Sequence, residues 1–173
     1  MKHEERLKQV ELILSDVDGV FTDGGIIFDN QGIETKRFHV RDGLAVKLWR
    51  QAGYQFGLIS SRSSQIVRNR SAELGIDLVR QGVPEKLPVA QEIITSLKLQ
   101  PEQVCYIGDD LPDLPVIQYV GVGVAVADAA AELRTAALLT TKAPGGEGAI
   151  RELVETLLKA KQRWDEVVRK HLA

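Results

Sequence analysis

Two aspartates, Asp16 and Asp18, stand one residue apart in the segment LILSDVDGVFTDG, directly after the apolar run Leu12–Ser15. Side chains at the carboxyl end of a buried parallel strand project into the crevice where open α/β sheets bind their ligands. Two carboxylates about 4 Å apart repel each other by roughly 4 kcal/mol at an effective dielectric constant near 20. The pair therefore needs a bound cation or a shared proton, and the pattern favours a divalent metal ion.

A second acidic cluster follows another apolar run, in the segment YIGDDLPDLPV. Asp109 and Asp110 come at the end of that run, and Asp113 stands on the next turn. A helix-capping role for Asp110 accounts for only one of the three carboxylates. The cluster as a whole indicates a second contribution to a cation site.

A hydroxyl and a lysine complete the set of reactive groups. Ser60 ends the apolar run of YQFGLISSR, where its hydroxyl can donate to a phosphoryl oxygen. In the alternative interpretation, Ser63 caps the next helix and Ser60 has no functional role. Lys86, in GVPEKLPVA, stands near a predicted helix start, where a solvated surface lysine is the ordinary alternative. Taken together and in this order, these groups can supply the nucleophile, the acid/base, the oxyanion donors and the metal ligands of in-line phosphoryl transfer.

The elements that must position these groups alternate between short apolar runs and amphipathic segments. Such alternation predicts a parallel sheet covered on both faces, which is a three-layer α/β sandwich of Rossmann-like type. Strands are predicted at residues 12–15, 55–59, 104–107, 122–126 and 138–140. Helices are predicted at residues 42–52, 63–74, 85–97, 111–119, 129–136 and 147 to about 168. We expect one domain over residues 1–173, with a C-terminal tail from about residue 145 to 173.

One segment interrupts this alternation, at about residues 24–38, GGIIFDNQGIETKRF. Two β-prone runs around a polar turn predict an inserted β-hairpin. A lone two-stranded hairpin is marginally stable in water, and this one carries a set of apolar side chains that need cover. These side chains are Ile26, Ile27, Phe28, Ile33 and Phe38. The hairpin either folds onto its own domain or forms a contact between subunits.

Composition narrows the classes of partner. The chain of 173 residues has a net charge of -2 with both signs interspersed, so it lacks the basic stripe typical of proteins that bind nucleic acid or anionic membranes. The charged N-terminal segment has no signal-peptide core, and no run approaches the roughly 20 apolar residues of a membrane span. We therefore expect a soluble, cytoplasmic protein. The single cysteine, Cys105, lies in the apolar run VCYIG and is interpreted as a core residue.

The four groups, DVDGV, LIS, Lys86 and GDDLPD, resemble the four motifs of the haloacid dehalogenase superfamily, in order and across nearly the whole chain. The intervals between motifs are too short for a separate cap domain, so the chain is similar to capless members. Its DGVFTDG loop, hairpin, HVRDG and GGEGAIRELVE segments resemble the phosphatases of 3-deoxy-D-manno-octulosonate 8-phosphate. Those enzymes make the free eight-carbon sugar acid for lipopolysaccharide. The resemblance implies a homotetramer with hairpins packed in a central barrel, and a tail or neighbouring subunit that closes each site.

The resemblance also implies roles for single residues. Asp16 is the expected nucleophile and Asp18 the acid/base, while Ser60 and Lys86 contact the phosphoryl group. Mg²⁺ is expected on the carboxylates of Asp16 and Asp109 and on the main-chain carbonyl of Asp18, with Asp110 and Asp113 orienting ligands or waters. Contacts with the sugar acid phosphate are implied at Asp18, His39, Val40, Arg41, Asp42, Gly43, Lys47, Arg62, Arg70 and Lys86. His39 as a polar loop residue and Lys47 on a solvated face stay open as alternatives.

Departures from the family pattern leave other interpretations open. Ser61 replaces the usual glycine, whereas Arg62 is kept; related enzymes for nine-carbon keto-sugar acid phosphates often have glutamate at that position, so Arg62 favours the eight-carbon substrate. A phosphorelay receiver also uses clustered aspartates, a hydroxyl and a lysine, but in a different order along the chain. A calcium loop lacks its expected later glutamate. An inactive oligomerisation module is disfavoured because every predicted reacting group is present.

Overall fold

The strands of the computed structural model, which describes residues 2–172, form two separate sheets. They are β1 (Leu12–Ser15), β2 (Ile27–Phe28), β3 (Glu34–Thr35), β4 (Gln55–Ile59), β5 (Leu78–Arg80), β6 (Val104–Gly108), β7 (Val122–Ala125) and β8 (Leu139–Thr140). The main sheet is parallel, in the order β5-β4-β1-β6-β7-β8, and β2 pairs with β3 as an antiparallel hairpin. The predicted parallel sheet with an inserted hairpin is therefore confirmed.

Helices cover both faces of the main sheet. They are α1 (Lys2–Gln9), α2 (Val40–Gln51), α3 (Gln65–Leu74), α4 (Lys86–Ser96), α5 (Leu114–Tyr119), α6 (Ala131–Ala136), α7 (Ala149–Ala160) and α8 (Trp164–Arg169). Every residue of β1 is fully buried, as a central strand covered on both faces requires. One layer contains α1, α2 and α7, with α7 in contact with both of the others, and α4, α5 and α6 pack in sequence in the other layer. Within residues 2–172, no cap domain interrupts these layers, and none of the helices has the length and apolar character to span a lipid bilayer.

The structure differs from the predicted helices at both ends of the chain. Helix α1 was not predicted, because its sequence, KHEERLKQ, has one aliphatic residue, Leu7, and therefore no apolar stripe. The helix predicted from 147 to about 168 is two helices. Gln162 adopts a left-handed φ of 58° between α7 and α8, which ends the first helix.

The C-terminal segment is part of the hydrophobic core. Helix α7 buries one apolar face, formed by Ile150, Leu153, Val154, Leu157 and Leu158. The carboxylate of Asp42 on α2 accepts hydrogen bonds from the backbone N–H groups of Gly148 (3.3 Å) and Arg151 (2.8 Å), at the start of α7. The backbone N–H of Gly146 also donates to the carbonyl of Val20 in the DGVFTDG loop, at 2.9 Å. The tail is therefore anchored to its own subunit through the described residues.

The hairpin is covered at its base and open at its tip. Phe38 packs edge to face on Phe21 with ring centroids 6.1 Å apart, which fixes the base to the domain. Ile26, Ile27, Phe28 and Ile33 near the tip are 46% to 57% exposed. Folding onto its own domain thus accounts for the base of the hairpin and leaves its apolar tip without cover from the described part of the chain.

Candidate active site

The order of the main sheet brings the predicted reactive groups together. Strand β1 lies between β4 and β6, so the segments that follow these three strands meet at one edge. They surround a cavity of about 330 Å³. Its lining residues are Asp16, Asp18, Gly24, Ser60, Ser61, Arg62, Lys86, Asp109, Asp110, Pro112 and Asp113.

Asp16 and Lys86 form a buried ion pair at the bottom of this cavity. The Nζ atom of Lys86 lies 2.8 Å from Oδ1 of Asp16 and 2.6 Å from Oδ1 of Asp113. Lys86 is the first residue of α4 and is 4% exposed, so the solvated-surface alternative is wrong. Burial alone would lower the pKa of Lys86, but the charges of Asp16 and Asp113 outweigh it and raise that pKa. The lysine is therefore a fixed positive charge beside Asp16.

Asp113 organises the loop after β6. Its Oδ1 accepts from Lys86 and from the hydroxyl of Tyr106, both at 2.6 Å, and its Oδ2 accepts from the backbone N–H of Asp109 at 2.9 Å. Asp110 caps the following turn by accepting from the backbone N–H of Leu111 at 2.8 Å. Sequence reasoning did not assign Tyr106 to the site, because it appeared only as part of an apolar strand. Protein donors thus occupy both oxygens of Asp113.

The carboxylates at this edge fit a divalent cation. Single oxygens of Asp16, Asp109 and Asp113 all lie within 4.8 Å of one another. Burial and the neighbouring carboxylates raise the pKa of Asp16 to about 6 and that of Asp109 to about 8. Oxygen ligands of this kind suit Mg²⁺, whose charge would relieve the repulsion. Because Asp113 is already engaged, Asp16 and Asp109 are the carboxylates available as ligands.

A glycine makes room for one of these ligands. Gly19, in the loop after Asp18, adopts a left-handed φ of 87°. A Cβ atom at that position would lie 2.6 Å from Cγ of Asp109, closer than two carbon atoms can approach. Glycine is therefore required there both by the backbone conformation and by the position of Asp109.

The hairpin contributes two charged residues that sequence reasoning missed. Lys36 forms an ion pair with Oδ1 of Asp18, and Nε of Arg62 lies 3.8 Å from Oδ2 of the same carboxylate. Glu34 accepts from Nη2 of Arg62 at 2.7 Å and lies 3.3 Å from Nζ of Lys36. Glu34 lies in β3 and Lys36 directly follows that strand. Residues two apart in extended backbone share a face, so the ETK segment carried a signal for the contact between Glu34 and Lys36. These four side chains connect the hairpin to the loops after β1 and β4.

Ser60 lies in the cavity and a different serine caps the next helix. The Oγ atom of Ser60 accepts from the backbone N–H of Arg62 at 3.2 Å, and its residue is 3% exposed. Helix α3 is capped by Ser64, whose hydroxyl accepts from the backbone N–H of Ile66 at 3.2 Å. The alternative in which Ser63 caps this helix is therefore wrong.

Seven other residues were implied in substrate binding, and in the described part of the chain none of them lines this cavity. They are His39, Val40, Arg41, Asp42, Gly43, Lys47 and Arg70. His39 caps α2 by accepting from the backbone N–H of Arg41 at 3.2 Å, and Arg41 lines a separate groove of about 530 Å³ beside α7. Lys47 is exposed on α2. The guanidinium of Arg70 lies 5.7 Å from the ring centroid of Phe38, and its buried Nε has no hydrogen-bond partner among the described residues.

Comparison with known proteins agrees with this geometry. A family model described as haloacid dehalogenase-like hydrolase matches residues 61–153. The chain is 41% identical over 159 residues to 3-deoxy-D-manno-octulosonate 8-phosphate phosphatase of Yersinia pestis, covering 92% of this chain and 85% of the relative. The family model and this relative together show that the chain is a haloacid dehalogenase-like hydrolase over most of its length.

Solved structures give the same result. The phosphatase of that name from Moraxella catarrhalis, in complex with magnesium, phosphate and KDO, superposes with a TM-score of 0.96 at 36% identity, covering 98% of each chain. The cobalt-bound deoxy-D-mannose-octulosonate 8-phosphate phosphatase from Haemophilus influenzae has a TM-score of 0.92 at 36% identity, covering 97% of this chain and 99% of that one. The similarity to solved structures therefore extends over nearly the whole chain.

Proposed function

The chain belongs to the haloacid dehalogenase-like hydrolases, and on that basis we propose that it is the Mg²⁺-dependent phosphatase of 3-deoxy-D-manno-octulosonate 8-phosphate. The products are the free eight-carbon sugar acid, a precursor of lipopolysaccharide, and inorganic phosphate. The observation that carries this proposal is the cluster at the end of β1, where Asp16 contacts Lys86 and lies within 4.8 Å of Asp109.

The metal site in this proposal uses the carboxylates of Asp16 and Asp109 and the main-chain carbonyl of Asp18. Mg²⁺, when bound there, supplies positive charge that offsets the negative charge of the phosphate ester and of the nearby carboxylates. Asp113 and Asp110 keep the loop after β6 in shape: Asp113 accepts a hydrogen bond from Asp109 N–H, and Asp110 accepts one from Leu111 N–H. These roles fit the oxygens that each residue has free.

Asp16 attacks phosphorus, and the bond from phosphorus to the sugar oxygen breaks. Asp18 donates a proton to that leaving oxygen, which departs as the free sugar alcohol. The enzyme is then an aspartyl phosphate on Asp16, and ionised Asp18 takes a proton from the attacking water. Hydrolysis of the acyl phosphate restores Asp16 and releases inorganic phosphate. Asp18 thus gives one proton to the sugar oxygen and regains one from the attacking water.

Two further groups stabilise the transferring phosphoryl group. The hydroxyl of Ser60 and the ammonium of Lys86 both line the cavity beside Asp16. Lys86 is held in place by Asp113, so it does not need to be ordered again when substrate binds. Donors that are fixed before the reaction contribute more to catalysis than donors that must reorient.

Arg62 supports the choice of the eight-carbon substrate. Its side chain is 45% exposed at the mouth of the cavity, where it can meet a carboxylate of the sugar acid. A nine-carbon keto-sugar acid phosphate remains the second candidate for the physiological substrate. A phosphorelay or inactive oligomerisation module is not favoured, because the named relatives are phosphatases.

The proposal includes a cytoplasmic homotetramer. Exposure of Ile26, Ile27, Phe28 and Ile33 supports an assembly that buries the hairpin tips. His39, Val40 and Arg41, with Lys47 and Arg70, lie outside the cavity of their own chain and would then reach the sugar acid across a subunit boundary. Asp42 is fully buried and accepts from Gly148 and Arg151, so it orders the start of α7 instead of contacting substrate. The buried single cysteine, Cys105, is compatible with a reducing compartment.

Phosphate release tests this function directly. Turnover of the eight-carbon sugar acid phosphate should exceed that of nine-carbon keto-sugar acid phosphates and of hexose phosphates, in kcat/KM. It should stop on chelation and return with Mg²⁺. Equal use of all these esters by the wild type would show a broad phosphatase instead.

A further inference from the structure

We propose that Lys36, on the hairpin, is a positioning residue that holds the carboxylate of Asp18 in the orientation needed for proton transfer to the leaving oxygen. This inference deepens the proposed function and rests on it, because it concerns the acid/base of the same reaction. Lys36 does not line the cavity and its side chain is 1% exposed, so it acts through Asp18 and not on the substrate.

Lys36 is a buried cation in an otherwise exposed hairpin. Its side chain is 1% exposed, whereas the adjacent Arg37 is 65% exposed. A buried ammonium group is stable in a fold only when carboxylates surround it. Lys36 has two such partners, Asp18 and Glu34, and one of them is the proposed acid/base.

The arrangement places a cation beside each oxygen of Asp18. Lys36 pairs with Oδ1, and Arg62 lies 3.8 Å from Oδ2. Glu34 contacts both cations, at 3.3 Å from Lys36 and 2.7 Å from Arg62, and so keeps each from turning away. A carboxylate at the mouth of an open cavity would otherwise rotate among several positions. The hairpin therefore restricts the acid/base through Lys36, the residue that follows β3, in addition to its proposed role in assembly.

Proton donation is the step that this restriction should affect. Formation of the aspartyl phosphate from an alkyl ester needs a proton for the leaving sugar oxygen, whereas an aryl phosphate with an acidic phenol releases a stable anion without one. The value of kcat/KM reports events up to that first bond cleavage. A misplaced Asp18 should thus reduce kcat/KM for the sugar acid phosphate far more than for the aryl phosphate.

The experiment compares Lys36→Met and Lys36→Arg with a matched control, Arg37→Met. The control removes one positive charge from the neighbouring residue, which pairs with Asp23 at 2.8 Å and does not contact Asp18. We expect Lys36→Met to lower kcat/KM for the sugar acid phosphate about tenfold or more and for p-nitrophenyl phosphate about threefold or less. Lys36→Arg should recover most of the loss, and Arg37→Met should resemble the wild type.

Two further measurements separate positioning from other roles. Competitive inhibition by the free sugar acid should be unchanged in Lys36→Met, and sedimentation and Mg²⁺ titration should show the same assembly and metal affinity as the wild type. Weaker inhibition, an equal loss on both esters, or kcat/KM within twofold of the wild type would each overturn the inference. In those cases an active wild type would leave the proposed function standing, whereas a wild type inactive on both esters would overturn both.

Discussion

The ammonium of Lys86 lies 2.8 Å from the carboxylate of Asp16, so the proposed nucleophile and a proposed phosphoryl-binding cation are in contact before substrate enters. Asp113 holds the same ammonium at 2.6 Å on its other side. The lysine thus bridges the loops after β1 and β6. Its charge moderates the repulsion between the carboxylates and remains available to an incoming phosphate.

Metal binding should depend on Asp109. Replacing Asp109 with alanine removes one of the two carboxylates that are free to bind Mg²⁺, while the hydrogen bond from its backbone N–H to Asp113 can persist. Losing a charge-assisted ligand contact should cost about 1.5 to 3 kcal/mol of Mg²⁺ affinity. Isothermal titration of the folded variant measures this loss. Wild-type affinity and rate in the variant would show that Asp109 is not a ligand.

The stabilising effect of Mg²⁺ should increase with pH. Burial and neighbouring charges raise the pKa of Asp16 to about 6 and that of Asp109 to about 8, above the values of these groups in an unfolded chain. The protonated forms of Asp16 and Asp109 therefore stabilise the metal-free fold. This contribution is complete at pH values below the unfolded pKa values, and it is lost as the pH rises through about 6 to 8.

Mg²⁺ binds the ionised carboxylates, so its affinity strengthens over the same range. The difference in Tm between Mg²⁺-loaded and metal-free protein should therefore be larger at about pH 8.5 than at about pH 5.5. Thermal denaturation at both pH values, with ionic strength held constant, measures this difference. An equal or smaller difference at the higher pH would contradict the proposed metal site.

Substrate choice should depend on the charge of residue 62. In the proposed contact, Arg62 meets the carboxylate of the sugar acid, so Arg62→Glu should introduce repulsion there and lower kcat/KM for the eight-carbon phosphate by about tenfold or more. The nine-carbon phosphates should lose less, or gain. Kinetics on both classes, with p-nitrophenyl phosphate as a reference for unspecific loss, measure the ratio. An equal decrease on the eight- and nine-carbon phosphates would assign Arg62 to the support of Asp18 or of the fold, and not to recognition of the sugar acid.

Assembly should depend on the apolar hairpin tip. Replacing Ile27 and Phe28, which are 51% and 57% exposed, by aspartate and lysine introduces charge where a subunit contact would exclude water. Light scattering should then show smaller species, with impaired hydrolysis, although the cavity residues are unchanged. Circular dichroism controls for folding. A wild type that is monomeric and fully active at assay concentration would refute the proposal that residues of a neighbouring subunit complete each active site.

The local features of the site could be predicted from the sequence, whereas its long-range partners could not. Asp16 and Asp109 follow short apolar runs, and a parallel sheet brings the ends of such runs to one edge whatever the side chains do. Lys36 reaches Asp18 only because the hairpin folds back over the loop, which no local pattern specifies. The same is true of Asp42, whose partner at Arg151 lies 109 residues along the chain. The hydrogen bond from Tyr106 to Asp113 could not be predicted either, because Tyr106 lies within an apolar strand and its sequence context indicates only a core residue.

The most direct test of the central claim is phosphate release from 3-deoxy-D-manno-octulosonate 8-phosphate by the wild type, Asp16→Asn and Asp18→Asn, each with Mg²⁺ and with a chelator. We predict turnover only for the wild type with Mg²⁺, no detectable turnover for Asp16→Asn, and a loss of about 10² to 10⁴ for Asp18→Asn. Circular dichroism should show all three to be folded. Near-normal phosphate release from well-folded Asp16→Asn would contradict the account, because an amide cannot form the aspartyl phosphate.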